Sequence, residues 1–267
     1  MGEFGDVKRL FFGFEVHAPW PDNLPDSRSL KAKHRHLTLV FLGNTSYKKI
    51  RSLIPQLPKP SFRVGAFGIC DSSLFLPHRD PKVVTWHVEP FGEDVLASYQ
   101  KELSEFLEGE GYPIDKRKFL KHITLGRSPF KKSEWKKHFR PLPVYFHHLH
   151  LYESSQGLVY EPIWSHDLLP PFEKVKSGPQ VIFRLYGETL QKMICSAQIA
   201  LCFENPELTP YLNADFELSH PEEGEKMLNQ MLENGSKEVN ISFKKVRFEG
   251  EMTPYKDVNA LELHCTP

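Results

Sequence analysis

Apolar and polar residues along the chain follow the two periods that distinguish strands from helices. Compact or alternating apolar runs predict strands, and apolar residues three or four positions apart predict helices. In the first two thirds of the chain, strands are predicted at residues 9–16, 36–43, 62–75, 83–89, 122–127, 144–152 and 160–168. Helices are predicted there at 46–57, 94–111 and 131–139. This mixture indicates an α+β fold.

Proline-rich sequence separates this region from a shorter one. Residues 169–179 read LPPFEKVKSGP, which is typical of a linker. Beyond it, strands are predicted at 181–186, 239–243, 247–251 and 261–265, and helices at 190–203 and 219–234, the second opened by a capping box of Ser219 and Glu222. We therefore predict a first domain at residues 1–170, a linker at 171–179 and a second small α+β domain at 180–267.

The composition is typical of a globular protein, with 40% apolar and 25% charged residues. No apolar run reaches the roughly 20 residues of a membrane span. Residues 1–14 contain Glu3 and Asp6 and do not resemble a signal peptide. The four cysteines form no CxxC pair. Together these features predict a reduced, cytoplasmic protein without a membrane partner.

The net charge of zero conceals an uneven distribution. Residues 1–178 contain 26 Lys and Arg against 20 Asp and Glu, whereas residues 179–267 contain 8 against 14. Such a difference can arise by chance on solvated surfaces. Read functionally, it suggests two units, of which the first is better suited to a polyanion.

Two short segments share one pattern. Residues 36–39 read H-L-T-L and residues 122–125 read H-I-T-L. On a strand, alternate side chains share a face, so each segment buries its aliphatic residues and presents an imidazole beside a hydroxyl. One such segment is common on a sheet surface. Two copies, each on a predicted strand, favour a catalytic pair.

A pair of imidazoles beside two hydroxyls suits the cleavage of a cyclic phosphodiester. One ring can act as a base and the other as an acid near neutral pH. The hydroxyls can donate hydrogen bonds to the phosphate oxygens, where negative charge accumulates. This chemistry requires no metal and no cofactor.

With these motifs the chain resembles the 2H phosphoesterases, and within them the 2′-5′ RNA ligase-like enzymes, which are RNA 2′,3′-cyclic phosphodiesterases. The resemblance covers about residues 8–170 and is carried by RLFFGFEV, HLTLVFLG, KVVTWHVEP, FLKHITLGR and LYESSQGLVYEPIW. It implies a two-lobed, pseudo-symmetric fold in which each lobe supplies one motif to a central groove.

The resemblance also implies roles for the motif residues. His36 is the expected general base and His122 the expected general acid, and the assignment depends on the direction of the reaction. Thr38 and Thr124 are expected to bind the phosphate. Arg127 is a further candidate for a phosphate contact, with an ordinary surface charge as the alternative.

Neighbouring residues depart from the pattern or extend it. Lys121 stands where the family usually has proline, and its charge is expected to lower the pKa of His122. His34 could share the face of His36. His147, His148 and His150 could bind zinc, but a partly exposed strand is the favoured interpretation, and no metal site is predicted.

The second region carries no catalytic motif. Residues 181–208 and KDVNALEL at 256–263 resemble archease, a protein that assists an RNA-splicing ligase. The opening His-Thr-Ala-Asp of that family is absent, and Ala260 and Leu261 replace its Tyr-His. A domain for packing or partner binding is the favoured interpretation. The acidic residues of interest there are Asp215, Asp257 and Glu262.

The sequence thus predicts an enzyme that opens 2′,3′-cyclic phosphate ends of RNA or nucleotides to a 2′-phosphate. One alternative is a non-catalytic protein that binds RNA ends and recruits an RNA ligase or repair partner through residues 180–267. Another is a 2H enzyme that acts on 2′-5′-linked oligonucleotides. Intact His and Thr in both motifs favour an enzyme, because a binding protein needs no matched pair of imidazoles.

Overall fold

Two antiparallel sheets organise the chain, which a computed structural model describes from residue 6 to residue 267. The first five residues of the predicted first domain lie outside that range. The first sheet contains β1 (Val7–Glu15), β2 (Arg28–Ser29), β3 (His36–Ser46), β4 (Ala66–Leu76), β5 (Val83–Pro90), β6 (His122–Arg127), β7 (Leu142–Phe146), β8 (His148–Ser155) and β9 (Val159–Asp167). Its helices are α1 (Tyr47–Leu53), α2 (Val95–Gly109) and α3 (Lys132–His138).

The first sheet consists of two halves that meet at its centre. The strands follow the spatial order β7-β4-β5-β6-β3-β1-β8-β9, and the short β2 pairs with β6. The strands that carry the two motifs, β3 and β6, are therefore central neighbours, and each has three more strands on its outer side. This confirms the predicted two-lobed, pseudo-symmetric architecture.

The strand order also forces the sheet to curl. β7 and β8 lie in opposite halves, yet only His147 separates them along the chain. Consecutive Cα atoms are about 3.8 Å apart, so the two outer regions must come together at this residue. His17, just beyond β1, joins the contact through two backbone hydrogen bonds with Tyr145 of β7, each 3.0 Å long. We call this closing contact of His17, Tyr145 and His147 the seam.

The prediction of one strand at 144–152 is therefore wrong. β7 pairs with β4, whereas β8 pairs with β1 and β9, so the chain passes from one half of the sheet to the other at His147. The buried apolar residues change phase at this point, from Val144 and Phe146 to Leu149 and Leu151, so the alternation is interrupted where the partner strand changes.

Aliphatic residues of the two motifs form the centre of the core. Leu37 of β3 pairs with Ile123 of β6, and both side chains are fully buried. The helices α1 and α2 pack on this face through residues such as Ile50 and Leu103. Because the helices cover the aliphatic face, the opposite face of the central strands stays open for the histidines and threonines.

The second sheet is smaller and has its own core. Its strands are β10 (Phe172–Lys176), β11 (Val181–Gly187), β12 (Lys245–Tyr255) and β13 (Val258–Thr266), in the order β10-β11-β13-β12, and its helices are α4 (Leu190–Glu204) and α5 (Pro221–Ser236). Phe91, just after β5, belongs to this core, and Phe67 and Tyr145 of the first sheet pack against it. The two sheets are thus joined by apolar contacts, and the division of the chain into two domains stays a prediction.

Three local predictions in this region differ from the structure. The linker at 171–179 contains β10, which pairs with β11 as an edge strand. Residues 239–243 are described as irregular chain, in which the backbone N–H of Ser242 donates to Oδ1 of Asn205 at 2.8 Å. The helix α5 is capped one residue later than predicted, because Glu223 accepts from the backbone N–H groups of Ser219 and His220.

No helix within residues 6–267 is both long enough and apolar enough to cross a membrane.

The central Leu37–Ile123 pair gives the first testable prediction. Ile123→Ala removes fully buried methyl groups at the point where the two halves meet, so we expect the free energy of unfolding to fall by about 2–5 kcal/mol. Chemical denaturation followed by circular dichroism measures this change. Val7→Ala is the matched control, because Val7 is 55% exposed, and it should change the same quantity by less than about 0.5 kcal/mol. Equal effects of the two substitutions would contradict the assigned role of Ile123.

Candidate active site

The pairing of β3 with β6 brings the two motifs together. With Leu37 opposite Ile123 in an antiparallel pair, the same register sets His36 across from Thr124 and Thr38 across from His122. Directly opposite side chains share a face and have Cβ atoms roughly 5 Å apart. Each histidine therefore stands beside the threonine of the other motif.

Both imidazoles are held by the same local contact. Nδ1 of His36 donates to the backbone carbonyl of His34 at 2.8 Å, and Nδ1 of His122 donates to that of Leu120 at 2.7 Å. A carbonyl oxygen can only accept, so Nδ1 of each ring carries a proton. Nε2 of each ring is then the atom that gains or loses a proton. His34 thus contributes through its backbone, a role that the sequence does not indicate.

Aromatic side chains enclose His36. The rings of Phe11, Tyr152 and Tyr160 lie 4.7, 5.3 and 4.6 Å from its ring, measured between centroids. Burial in this aromatic cage (Phe11, Tyr152, Tyr160) lowers the pKa of His36 to about 4, and the hydrogen bond to His34 opposes that shift. The sequence reasoning missed all three residues, although Tyr152 and Tyr160 lie within a segment that carries the family resemblance.

His122 has a different environment. Burial lowers its pKa as well, the bond to Leu120 opposes the shift, and the charge of His87 on the neighbouring strand lowers it further. The expected effect of Lys121 is not among these causes. Nζ of Lys121 lies 2.5 Å from Oδ2 of Asp94, so this lysine is paired with a carboxylate. The prediction that Lys121 lowers the pKa of His122 is therefore wrong.

A cavity of about 650 Å³ opens beside the motifs and is lined by Thr38 and His122 among others. Lys82, Arg117 and Lys118 contribute basic groups to its wall. An anionic ligand that reaches Thr38 and His122 would therefore meet positive charge along the same cavity.

Arg127 lies at the end of β6, on the exposed surface. Its guanidinium group donates to the hydroxyl of Tyr160 at 3.4 Å, and the ring of Tyr160 packs edge-on against His36. The structure thus links Arg127 to the aromatic cage. A contact between Arg127 and phosphate stays a prediction.

The acidic residues of the second region make separate contacts. Asp257 pairs with Arg63 at 2.7 Å and Glu262 pairs with Arg184 at 3.0 Å, whereas Asp215 is exposed. Within residues 6–267, two groups of side chains could hold a metal ion, and neither includes these three residues. The resemblance to archease and the recruitment of a ligase stay predictions.

The cage around His36 gives the second testable prediction. Tyr160→Ala admits water, which stabilises the imidazolium, so the pKa of His36 should rise from about 4 toward its ordinary value of 6.5. An NMR titration of the ring protons measures this pKa, with Tyr255→Ala in the second sheet as the control. Since the folded protein resists protonation of His36, the free energy of unfolding should also fall as the pH drops from 6.5 to about 4. A pKa near 6.5 in the unaltered protein would contradict the inferred effect of the cage.

Comparisons with known proteins find two curated relatives of similar sequence. The chain is 29% identical over 147 residues to an RNA 2′,3′-cyclic phosphodiesterase from Thermotoga maritima, a match that covers 49% of this chain and 74% of the relative. It is 28% identical over 94 residues to a protein of the same name from Bacillus subtilis, covering 34% of this chain and half of that relative's length.

No protein-family model matches the chain. Solved structures that resemble it include E. coli LigT in its apo form, with 23% identity and a TM-score of 0.47, which covers 61% of this chain and 99% of that one. The fold is thus assigned from the strand order, and the likeness in sequence rests on the two relatives and the paired motifs. On these grounds the chain is similar to RNA 2′,3′-cyclic phosphodiesterases, in keeping with its resemblance to the 2H phosphoesterases.

Proposed function

We propose that this protein hydrolyses 2′,3′-cyclic phosphate ends of RNA or nucleotides to a 2′-phosphate, with His36 and His122 as general base and general acid. The two sequence relatives carry the name of this activity. The observation that supports it most directly is the Leu37–Ile123 register, which sets each histidine across from the threonine of the other motif.

The reaction needs two proton transfers on opposite sides of phosphorus. Nε2 of the neutral base removes a proton from water, and the water oxygen forms a new bond to phosphorus. The bond between phosphorus and O3′ breaks, and the protonated Nε2 of the acid donates its proton to O3′. The product carries a 2′-phosphate and a free 3′-hydroxyl, and the two rings have exchanged protonation states. Imidazoles supply both transfers, so this scheme requires no metal ion.

In this scheme the hydroxyls of Thr38 and Thr124 bind the non-bridging oxygens. They lie on the same face as the two rings, one on each central strand. Negative charge on the phosphate grows as water adds, so hydrogen bonds from these hydroxyls stabilise the transition state more than the substrate.

Burial favours His36 as the base. Its pKa of about 4 keeps the ring neutral at pH 7, as a proton acceptor must be. The pKa of His122 is also lowered, and the single negative charge of a bound cyclic phosphodiester beside this ring raises the affinity of Nε2 for a proton. A ring that is protonated only when substrate is bound is suited to the acid role.

The substrate proposed here is a nucleotide or the end of an RNA strand. The basic residues of the cavity beside Thr38 and His122, namely Lys82, Arg117 and Lys118, offer contacts to further phosphates of a longer strand. Because such contacts are screened by salt, binding of an oligonucleotide should weaken with ionic strength more than binding of a mononucleotide.

Removal of either imidazole gives the third testable prediction. We expect His36→Ala and His122→Ala each to lower kcat by about 10²–10⁴-fold on an RNA oligonucleotide that ends in a 2′,3′-cyclic phosphate. Hydrolysis is followed by chromatography, with and without EDTA. His138→Ala, on α3, is the matched control and should keep full activity. Full activity of His36→Ala, or loss of activity with EDTA alone, would refute the metal-independent two-histidine scheme.

Removal of the threonine hydroxyls gives the fourth testable prediction. Thr38→Val and Thr124→Val keep the β-branched shape but lose the hydroxyl, so kcat/KM should fall by about 10²–10³-fold in each. Serine at either position should restore most of the activity, because it returns the donor. Thr45→Val, farther along the same strand as Thr38, serves as the control. If valine and threonine at position 38 or 124 gave equal kcat/KM, that hydroxyl would have no part in phosphate binding.

A further inference from the structure

Three imidazoles meet at the seam of the first sheet. His17 follows β1, His147 separates β7 from β8, and His148 begins β8. One ring nitrogen from each lies within 4.8 Å of those of the other two. The ring centroids of His17 and His147 are 4.6 Å apart, and those of His147 and His148 are 3.6 Å apart.

Two of these rings contain buried nitrogens without a partner. Within residues 6–267, nothing forms a hydrogen bond with Nε2 of His17 or with Nδ1 of His147. A buried polar nitrogen without a partner is costly, and three protonated rings at these distances would repel one another. Neutral imidazoles with free lone pairs are the form in which histidine binds a metal ion.

The third ring is already oriented in the manner of a metal ligand. Nδ1 of His148 donates to Oδ1 of Asp167 at 2.8 Å, which leaves its Nε2 free. A carboxylate that accepts from the second nitrogen of a ligating histidine is a regular feature of metal sites. Glu15 adds negative charge nearby, with Oε1 3.9 Å from Nε2 of His17.

His150, which the sequence groups with His147 and His148, is engaged elsewhere. Its Nδ1 bonds to Oγ of Ser165 at 2.8 Å, and its Nε2 lies 3.4 Å from Oε2 of Glu15. His17 takes its place in the cluster, although it lies 130 residues before His147 along the chain.

We propose that His17, His147 and His148 bind one divalent transition-metal ion, with Zn²⁺ as the preferred ion, at the seam of the first sheet. Three nitrogen ligands with one open position suit Zn²⁺, whose bonds to histidine nitrogen are about 2.0–2.1 Å long. Tetrahedral ligands at that distance lie roughly 3.4 Å from one another, so modest side-chain rotations bring the three nitrogens into place.

The ion would stabilise the seam and take no part in the hydrolysis. His17 extends from β1 and His148 begins β8, while Asp167 ends β9. The same region contacts the second sheet, since Tyr145, which stacks on His17 at 4.8 Å, also packs against Phe172 and Phe203. One ion would thus stabilise the closing contact of the first sheet at the place where the first sheet packs against the second.

The test is Zn²⁺ binding by the full chain after treatment with a chelator, measured by calorimetry and by the shift in Tm. We expect one equivalent of Zn²⁺ and a rise in Tm on binding. When Co²⁺ is added to the metal-free protein, the visible absorption bands of a tetrahedral site should appear. No saturable binding to the unaltered chain would overturn the proposal.

Substitutions test which histidines bind the Zn²⁺ ion. His17→Asn should abolish stoichiometric binding, and Asp167→Asn should weaken it by about 10–100-fold. His150→Asn is the matched control and should bind as the unaltered protein does. Loss of binding in His150→Asn together with retention in His17→Asn would overturn the assignment of ligands. The side chain of Asp167 is 67% exposed, so we expect Asp167→Asn to fold. This variant therefore tests the site even if His17→Asn does not fold.

The hydrolysis assay on the metal-free protein keeps the two proposals distinct. Hydrolysis without Zn²⁺, together with a lower Tm, is the result expected if both proposals hold. Binding of Zn²⁺ without any hydrolysis would refute the proposed function and leave the metal site in place.

Discussion

The antiparallel pairing of Leu37 with Ile123 is the constraint on which the site depends. Side chains alternate along a strand with a period of two, so this one register decides which face of both central strands receives the histidines. The aliphatic face is filled by the core beneath α1 and α2. A slip of either strand by one residue would bury its imidazole and its hydroxyl and expose its two aliphatic side chains. Packing of the core therefore fixes the register that the site requires.

Symmetry of the backbone does not extend to the surroundings of the two rings. The outer neighbour of β3 is β1, which sets Glu15 opposite His36, and the outer neighbour of β6 is β5, which sets His87 opposite His122. An aromatic cage encloses His36, whereas His122 borders an open cavity. Two similar motifs thus receive different electrostatic environments. A difference of this kind is what an acid and a base require if they are to hold opposite protonation states at one pH.

Sequence reasoning succeeds here where the signal is local and periodic. The alternation of residues 36–39 and 122–125 predicts two strands, a shared face and a pair of imidazoles, and the structure brings these residues together. It fails where distant segments decide the outcome. The change of phase between Phe146 and Leu149 marks an interruption, but nothing in residues 144–152 shows which strands pair on either side of it. Nothing near Lys121 indicates that Asp94 neutralises it. The cage and the ring of His17 likewise depend on curling of the sheet, which no short stretch of sequence encodes.

The curl also explains why the two proposed chemistries can coexist in one sheet. β8 presents Tyr152 to His36 and, four residues earlier, presents His148 to the seam. The low pKa of His36 arises from burial among aromatic rings, and a cation at the seam is not needed to produce it. Conversely, the imidazoles at the seam are held by closure of the sheet, through the hydrogen bonds between His17 and Tyr145. The curled sheet therefore serves both places: Tyr152 of β8 and Tyr160 of β9 lie close to His36, and three ring nitrogens meet where the halves join. If His36 is the base, as proposed, an ion that stabilises the seam would also support the curvature around that ring, without having to enter the reaction.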